Sequence, residues 1–474
     1  MNHKKILTYS AISLILSACT VGPDYKKPTI NVPTHFKEAK NNGWKKASPA
    51  DLKDRGEWWT AFHDQQLNVL EKELNSHDQN IETATAQYMQ AFAMIEQARA
   101  AYFPFVAGSA AWNFQNASGG GSASNPTNPG SAAGGGGGSF QSFGLNASWE
   151  GDLWGNIRRN VEAVTATAEA SKAKIAAIQL SDQASLAQYY FELRGVDNDQ
   201  AFLDNIVLHN QKLLTVAYAK MKEGVFSLSN VIQARNALNV AKQTAENNKI
   251  NRGLYEHAIA ILLGKPPADF ALPAKFYSFH PPKIPGILPS EMLERRPDVA
   301  AAERAVAAAN AQIGVAKAAY FPVLSLSPWA GWTSSNFNSF SSSPLFSWSL
   351  GPQLAQYVFD GGVRESNFLA AKANYRATVS QYRQAVLVAF QNVEDSLTQL
   401  HSLNEQVVIT KHAARDARTS FSLTHTEFQG GTVAAPDVDS SSIETLTADK
   451  NASDAAALQM TYTVALIKAL GGAY

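Results

Sequence analysis

Ala98-Arg99-Ala100-Ala101-Tyr102-Phe103-Pro104 recurs as Ala316-Lys317-Ala318-Ala319-Tyr320-Phe321-Pro322, 218 positions later. Tyr255 to Gly264 in turn matches Tyr462 to Gly471 at an offset of 207. The first half is therefore 11 residues longer between those points, and the surplus lies in a Gly/Ser/Asn/Pro tract from Ser118 to Ser139. A unit of about 200 residues is a duplicated domain, far longer than the roughly 20–50 residues of a solenoid repeat.

Working outward from the repeat, each half has one order of elements. A helical stretch of about 35 residues ends at Tyr-Phe-Pro, and two extended segments joined by a loop follow. A very long helical stretch comes next, about Ile157 to Glu223 and Val363 to Gln429. At 1.5 Å per residue each would be about 100 Å long. A glycine turn (Gly224; Gly430-Gly431) reverses the chain, and a helix of about 35 residues returns to Gly264 or Gly471. Val386, Phe390, Val393, Leu397, Leu400 and Val407 step by 4, 3, 4, 3 and 7, a heptad seam that supercoils helices. Two short helices end to end match one long one, which predicts a wall of paired helices.

The extended segments alternate with period two. Val106, Gly108, Ala110, Trp112 and Phe114 share one face, and Phe143, Leu145, Ala147 and Trp149 share another. Leu324, Leu326, Pro328, Ala330 and Trp332 repeat the pattern, although Trp329 interrupts its polar side; Phe346, Trp348, Leu350, Pro352 and Leu354 complete it. One apolar face, one small polar face and aromatics near the ends suit strands of a membrane barrel, and a half-buried soluble sheet reads similarly strand by strand. Four strands cannot enclose an aqueous pore, since about eight only leave room for side chains. Open edges in lipid would be unsatisfied. A trimer donating four strands per chain gives twelve.

Composition removes several function classes. Of 474 residues 45% are hydrophobic and 17% charged, against roughly 25% charged in an average protein. With 40 basic and 40 acidic side chains there is no basic excess for nucleic acid. Disorder of the whole chain is excluded by 23 Phe, 15 Tyr and 9 Trp. One cysteine permits no intramolecular disulfide, cysteine zinc site or iron–sulfur cluster. The glycine tract lacks Gly-Lys-Ser/Thr, and it reads as a surface loop between strands. The ten histidines form no His-Glu-x-x-His, and no Gly-x-Ser-x-Gly elbow occurs. No catalytic, metal or cofactor site is called for, and the chain reads as a non-enzyme.

That single cysteine has a telling position. Lys4 and Lys5 precede a short apolar run from Ile6 to Leu16, and Leu16-Ser17-Ala18-Cys19 closes it. The run is too short to span a bilayer as a mature helix. Leu-Ser-Ala-Cys resembles the bacterial lipoprotein signal, whose cleavage leaves Cys19 as the first, diacylglycerol-bearing residue; an ordinary secretory signal ending in Cys is the plainer alternative. Loss of residues 1–18 leaves 38 basic and 40 acidic side chains. Thr20 follows the cysteine where Asp would favour inner-membrane retention, so the resemblance implies the outer membrane.

Further residues resemble one family. Cys19-Thr20-Val21-Gly22-Pro23-Asp24-Tyr25-Lys26-Lys27-Pro28 looks like the start of the NodT-type lipoproteins among the TolC-like outer-membrane efflux factors. Trp58-Trp59, Phe62, Asp64 and Leu67 resemble the opening of that family's first helix, and Leu288-Pro289-Ser290-Glu291-Met292-Leu293-Glu294-Arg295-Arg296-Pro297-Asp298-Val299 the opening of its second half. Phe359-Asp360-Gly361-Gly362 is similar to the motif leaving the barrel, and Ala465 to Gly471 to the closing helix. The resemblance implies a mixed α and β membrane protein: a homotrimer with a 12-stranded β-barrel in the outer membrane, continuous with a long periplasmic α-helical barrel. It divides the chain into a lipoprotein signal peptide (1–18), an N-terminal equatorial segment (19–60), a first repeat (61–264, strands about 105–114 and 140–149), a proline-rich equatorial linker (265–289) and a second repeat (290–474, strands about 323–332 and 346–355). The chain stops at Tyr474 just after the last helix, so no C-terminal tail is expected to add to the equatorial belt.

The function implied is the passive exit duct of a tripartite efflux pump for drugs or small toxic molecules. Its partners would be a periplasmic adaptor, an inner-membrane transporter, taken as proton-driven, and outer-membrane lipid. A duct for type I protein secretion and a non-conducting, periplasm-spanning structural lipoprotein remain alternatives. The turns at Gly224-Val225 and Gly430-Gly431-Thr432 look like the two periplasmic tips on which the adaptor docks, and both also read as simple glycine reversals. Asp437 matches an aspartate that rings the closed periplasmic entrance in some members; where a second aspartate follows three positions on, this chain has Ser440, with Asp439 beside it. Residues 437 and 439 point about 200° apart on a helix, so both cannot face one lumen. Asp437 follows Pro436 in a first turn, where capping explains a carboxylate equally well.

Lipidation is directly testable. Mass spectrometry of the mature protein should find Cys19 as residue one bearing acyl chains, and an unmodified terminus elsewhere would refute it. Cys19→Ser should impair sorting more than trimer formation.

Overall fold

The computed structural model describes residues 20–33, 36–37, 56–115, 138–282, 295–334 and 345–472. The signal peptide, Cys19, half of the equatorial segment, nearly all of the glycine tract, positions 283–289 of the proline-rich linker, most of the second-half signature and Tyr474 lie outside them. In chain order the elements are α1 (Gln65–His77), α2 (Gln79–Ala100), β1 (Phe105–Gln115), β2 (Gly138–Gly151), α3 (Asn156–Lys222), α4 (Leu228–Leu262), α5 (Pro297–Ala318), β3 (Val323–Leu326), β4 (Trp329–Ser334), β5 (Leu345–Ser349), β6 (Pro352–Ala355), α6 (Val363–Gln429) and α7 (Ala435–Ala469). Both long helices have 67 residues and both returning helices 35. The chain forms two compact units. The first holds the described residues within 1–28, 90–168 and 304–379; the second holds those within 29–89, 169–303 and 380–474.

The first unit carries the strands. β2 pairs antiparallel with β1 on one side and with β3 and β4 on the other; β6 pairs with β3, and β5 with β4. The result is four antiparallel strand tracks. The third track breaks at Ser327-Pro328 and the fourth at Leu350-Gly351, where single strands are expected from the alternation alone. Proline has no N–H for a ladder, so it sits at the break, and its carbonyl still accepts from Ala147 N at 2.9 Å. Aromatics line up across the tracks: Phe143 and Trp332 lie 6.4 Å apart, Trp332 and Phe346 5.3 Å. The apolar face is open, with Val106, Trp112, Leu145 and Trp348 all more than half exposed.

Residues 20–25 are seated in the same unit. Val21 N donates to Trp154 O at 3.0 Å. Arg159, almost wholly buried, bonds Asp24 at 2.7 Å and Glu162 at 2.8 Å, and Asn310 Nδ2 donates to Pro23 O at 2.9 Å. Gly22 takes φ +109° and lies so close to α5 that a Cβ on it would stand 2.5 Å from Gly314 Cα. A Cβ on Gly314 would in turn meet Arg159 Cγ at 2.8 Å. Only glycine at both positions allows this approach.

The second unit has the large core. Trp58, Trp59 and Phe62 form a short 3-10 turn and, with Leu67, Leu70 and Leu74 of α1, pack on Leu186, Tyr190 and Phe191 of α3, Ile259 of α4, and Met460 and Val464 of α7. Asp64 caps α1 by accepting from Gln66 N (2.8 Å) and Leu67 N (3.0 Å), and it also takes the Tyr190 hydroxyl at 2.7 Å. Asp78 accepts from Asn80 N and Ile81 N, so the helical stretch read as continuous from sequence is two helices. The linker from Lys265 is pinned by charge. Asp197 takes Arg194 at 2.9 Å and Arg252 at 2.8 Å, and Arg194 also donates to Pro273 O. The heptad seam on α6 is buried at Val386, Val393 and Val407.

Gly314→Leu should displace Arg159, lift residues 20–25 and cost ~1–3 kcal/mol. Limited proteolysis should then cleave near Tyr25, and an unchanged digestion pattern would count against this docking.

Candidate functional site

Both helical reversals are built by local hydrogen bonds. At the first, α3 ends at Lys222, Gly224 takes φ +78°, and Val225 N donates back to Lys220 O at 2.9 Å. Asn230 Oδ1 then accepts from Ser227 N at 3.0 Å to start α4. At the second, Gly431 takes φ +76° and Thr432 N donates to Glu427 O at 3.0 Å. Asp437 Oδ2 accepts from Ala434 N at 2.9 Å to start α7. Asp437 thus occupies the place of Asn230 and does the same capping work. A Cβ on Gly224 or Gly431 would meet nothing, so the constraint there is the left-handed backbone and not crowding. Gly430 has no positive φ and only continues the end of α6. Val225 and Thr432 are exposed, as a docking surface requires.

Asp439 points elsewhere. Its carboxylate meets His209 Nδ1 of α3 at 2.7 Å, with Lys212 Nζ at 3.9 Å, and His209 Nε2 lies 3.0 Å from Ser442 Oγ. The 200° between positions 437 and 439 therefore separates an exposed cap from a partly buried strut between α3 and α7. Two more struts join these helices. Asn198 donates to Ser453 Oγ at 3.0 Å. Lys450 bridges Asp199 at 3.1 Å and Asp454 at 2.7 Å. Asp199 is only 8% exposed, and burial first, then the hydrogen bond to Asp454, pushes its carboxyl up to about 7. Sequence reading missed these pairs. The i, i+4 spacing of Lys450 and Asp454 was the one visible signal; nothing local marked Asp199 or His209.

Among the described residues no three His, Cys, Asp or Glu side chains gather as metal ligands. Among them, too, no helix is long and apolar enough to cross a membrane.

Comparison with known proteins decides the family. The outer membrane efflux protein family matches the chain twice in succession, over 70–265 and 288–472. The chain belongs to the outer membrane efflux protein family. The cation efflux system protein CusC of Escherichia coli O6:H1 is 25% identical, with 100% of each chain covered. The antibiotic efflux pump outer membrane protein ArpC of Pseudomonas putida is 27% identical over 99% of this chain and 96% of its own. Among solved structures, the outer-membrane channel OprN superposes with TM-score 0.80 at 27% identity, covering 96% of this chain and 99% of its own. The open state of the Neisseria gonorrhoeae MtrE outer membrane channel gives 0.78 at 26%, covering 96% and 98%. This efflux protein is an outer-membrane channel subunit.

A pH dependence follows from Asp199. Its carboxyl is raised in the folded chain, so that chain holds the proton more tightly than the unfolded one does near pH 4. The Asp199 contribution to stability is full below about 4, declines by ~4 kcal/mol as pH rises to 7, and stays low above it. Asp199→Asn, which keeps a donor toward Asp454 and an acceptor toward Lys450, should flatten the melting temperature between pH 5 and 8. An unaltered slope would sink the assignment.

Proposed function

We propose that the chain forms a homotrimeric exit duct of a tripartite efflux pump, carrying small toxic molecules across the periplasm and outer membrane. The carrying observation is the four-track antiparallel ribbon with its exposed aromatic and aliphatic face. Among the described residues β1 pairs on one side only, as do β5 and β6. In hydrocarbon every strand edge needs a partner, and three ribbons joined edge to edge close into twelve strands without a free edge. The identical lengths of the paired helices support reading the chain as a duplication, with repeats 61–264 and 290–474 separated by the linker 265–289 and preceded by the equatorial segment 19–60.

Substrate class is supported by the relatives, whose names specify cations, toluene, solvents and antibiotics. In this reading a periplasmic adaptor docks on Gly224, Val225, Gly430, Gly431 and Thr432, and couples the duct to a proton-driven inner-membrane transporter. Acyl chains on Cys19 anchor the segment that Arg159 holds. Three copies of Asp437 form an acidic ring at the periplasmic entrance while each caps its own helix, and such a ring favours cations.

Deleting the gene should raise accumulation of several unrelated toxic compounds, and an unchanged profile in a strain without redundant ducts would overturn the proposal. In planar bilayers Asp437→Ala should reduce cation selectivity or divalent-cation block, whereas Asp439→Ala should leave both intact. Gly431→Val should abolish adaptor crosslinking with trimers preserved, and crosslinking that survives would move the docking surface elsewhere.

A further inference from the structure

A groove of about 400 Å³ opens in the second unit where α3, α6 and α7 meet residues 276–279. One wall is aromatic. Phe202 of α3 and Phe276 stand edge to face at 5.9 Å, and Tyr277 and Phe279 lie 5.0 Å apart. This wall is fixed, because Asn198 accepts from Tyr277 N at 2.7 Å and donates to Tyr277 O at 2.8 Å. Phe276 nevertheless remains 61% exposed, an apolar ring held open to solvent.

The other wall is basic. Lys411, Arg415 and Arg418 line the groove at i, i+4 and i+7 on one face of α6. The acidic residue in the lining is Asp449, and Arg418 engages it at 2.8 Å. Lys411 and Arg415 form no ion pair among the described residues. The groove therefore carries two cations without a counter-charge beside an exposed aromatic ring, in a space of the size that holds small ligands.

We infer that this groove binds a small anionic aromatic molecule, its ring against Phe276 and Phe202 and its carboxylate or sulfonate toward Lys411 and Arg415. Sign and ring are both needed. A neutral hydrophobe would cover Phe276 but desolvate two cations without compensation. An inorganic anion would pair with the cations and leave the ring in water. Charge-assisted bonds from lysine and the arginine fork to a carboxylate supply the polar half, and ring burial supplies the apolar half. The inference goes beyond the duct reading and does not rest on conduction, since the groove belongs to one chain.

The test is calorimetric titration of the full-length protein in lipid nanodiscs with 2-naphthoate, using 2-naphthalenemethanol as the neutral analogue. Naphthoate should bind saturably and more tightly than the alcohol, and weaken as salt rises. Lys411→Gln with Arg415→Gln should weaken naphthoate at least ~10-fold while changing the alcohol less than ~2-fold. Phe276→Ala should weaken both. All three positions are exposed, so circular dichroism should match the parent. No saturable binding, equal affinity for acid and alcohol, or indifference to the double substitution would each overturn the inference. So would protection of a Phe276→Cys thiol from a small maleimide in the absence of probe, which would show that protein already fills the groove.

Discussion

A helix of about 100 Å has to be held along its whole length, and α3 meets that demand with a succession of different partners. Near its start Arg159 grips residues 20–25. In the second unit Tyr190 and Phe191 enter the aromatic core under α1, and beyond them Asn198, Asp199 and His209 tie it to α7. Its alanines allow close approach but supply little apolar area each, so no single stripe does the holding. The rest of the chain is arranged around that requirement: short helices, linker and returning helix each cover one stretch of the long one.

Those contacts change in kind along the helix. Around Trp58, Phe62, Phe191 and Val464 the burial is apolar and dense. From Asn198 onward the α3–α7 contacts described are hydrogen bonds and ion pairs, which water can replace at modest net cost. Apolar burial is not exchangeable in that way. The second unit thus has its rigid apolar part and its adjustable polar part separated along the same helices. Asp199 belongs to the adjustable part, and its raised carboxyl makes that strut sensitive to protons.

At the reversals, conformation and charge coincide. Glycine is required at Gly224 and Gly431 because the backbone turns left-handed there, while the residue three into the next helix, Asn230 or Asp437, satisfies the first free amide. A carboxylate at that place already has a structural role, so the charge of Asp437 comes at no cost to the fold. The same economy appears in the ribbon, where Pro328 interrupts a track yet keeps its carbonyl in the ladder.

Local physics made much of this chain legible in advance. Helix spans, both reversals and the alternation of the strands depend on neighbours a few residues apart, and the bounds of α3 and α6 differ from the sequence reading by at most one residue. Family membership likewise came from contiguous motifs. The alternation runs through Pro328 as one strand and does not show the break there, and a short polar residue such as Asp78 inside a helical stretch has no marked periodicity to show a cap. The pairings that define the candidate sites were not legible. Asp439 finds His209 across 230 positions, Asn198 finds Tyr277 across 79, and Lys411 and Arg415 face the wall built around Phe276. Each depends on the axial register between helices distant in sequence. That register is set by packing of the whole unit, so tertiary structure alone determines which charges meet, which are buried and which remain free to bind.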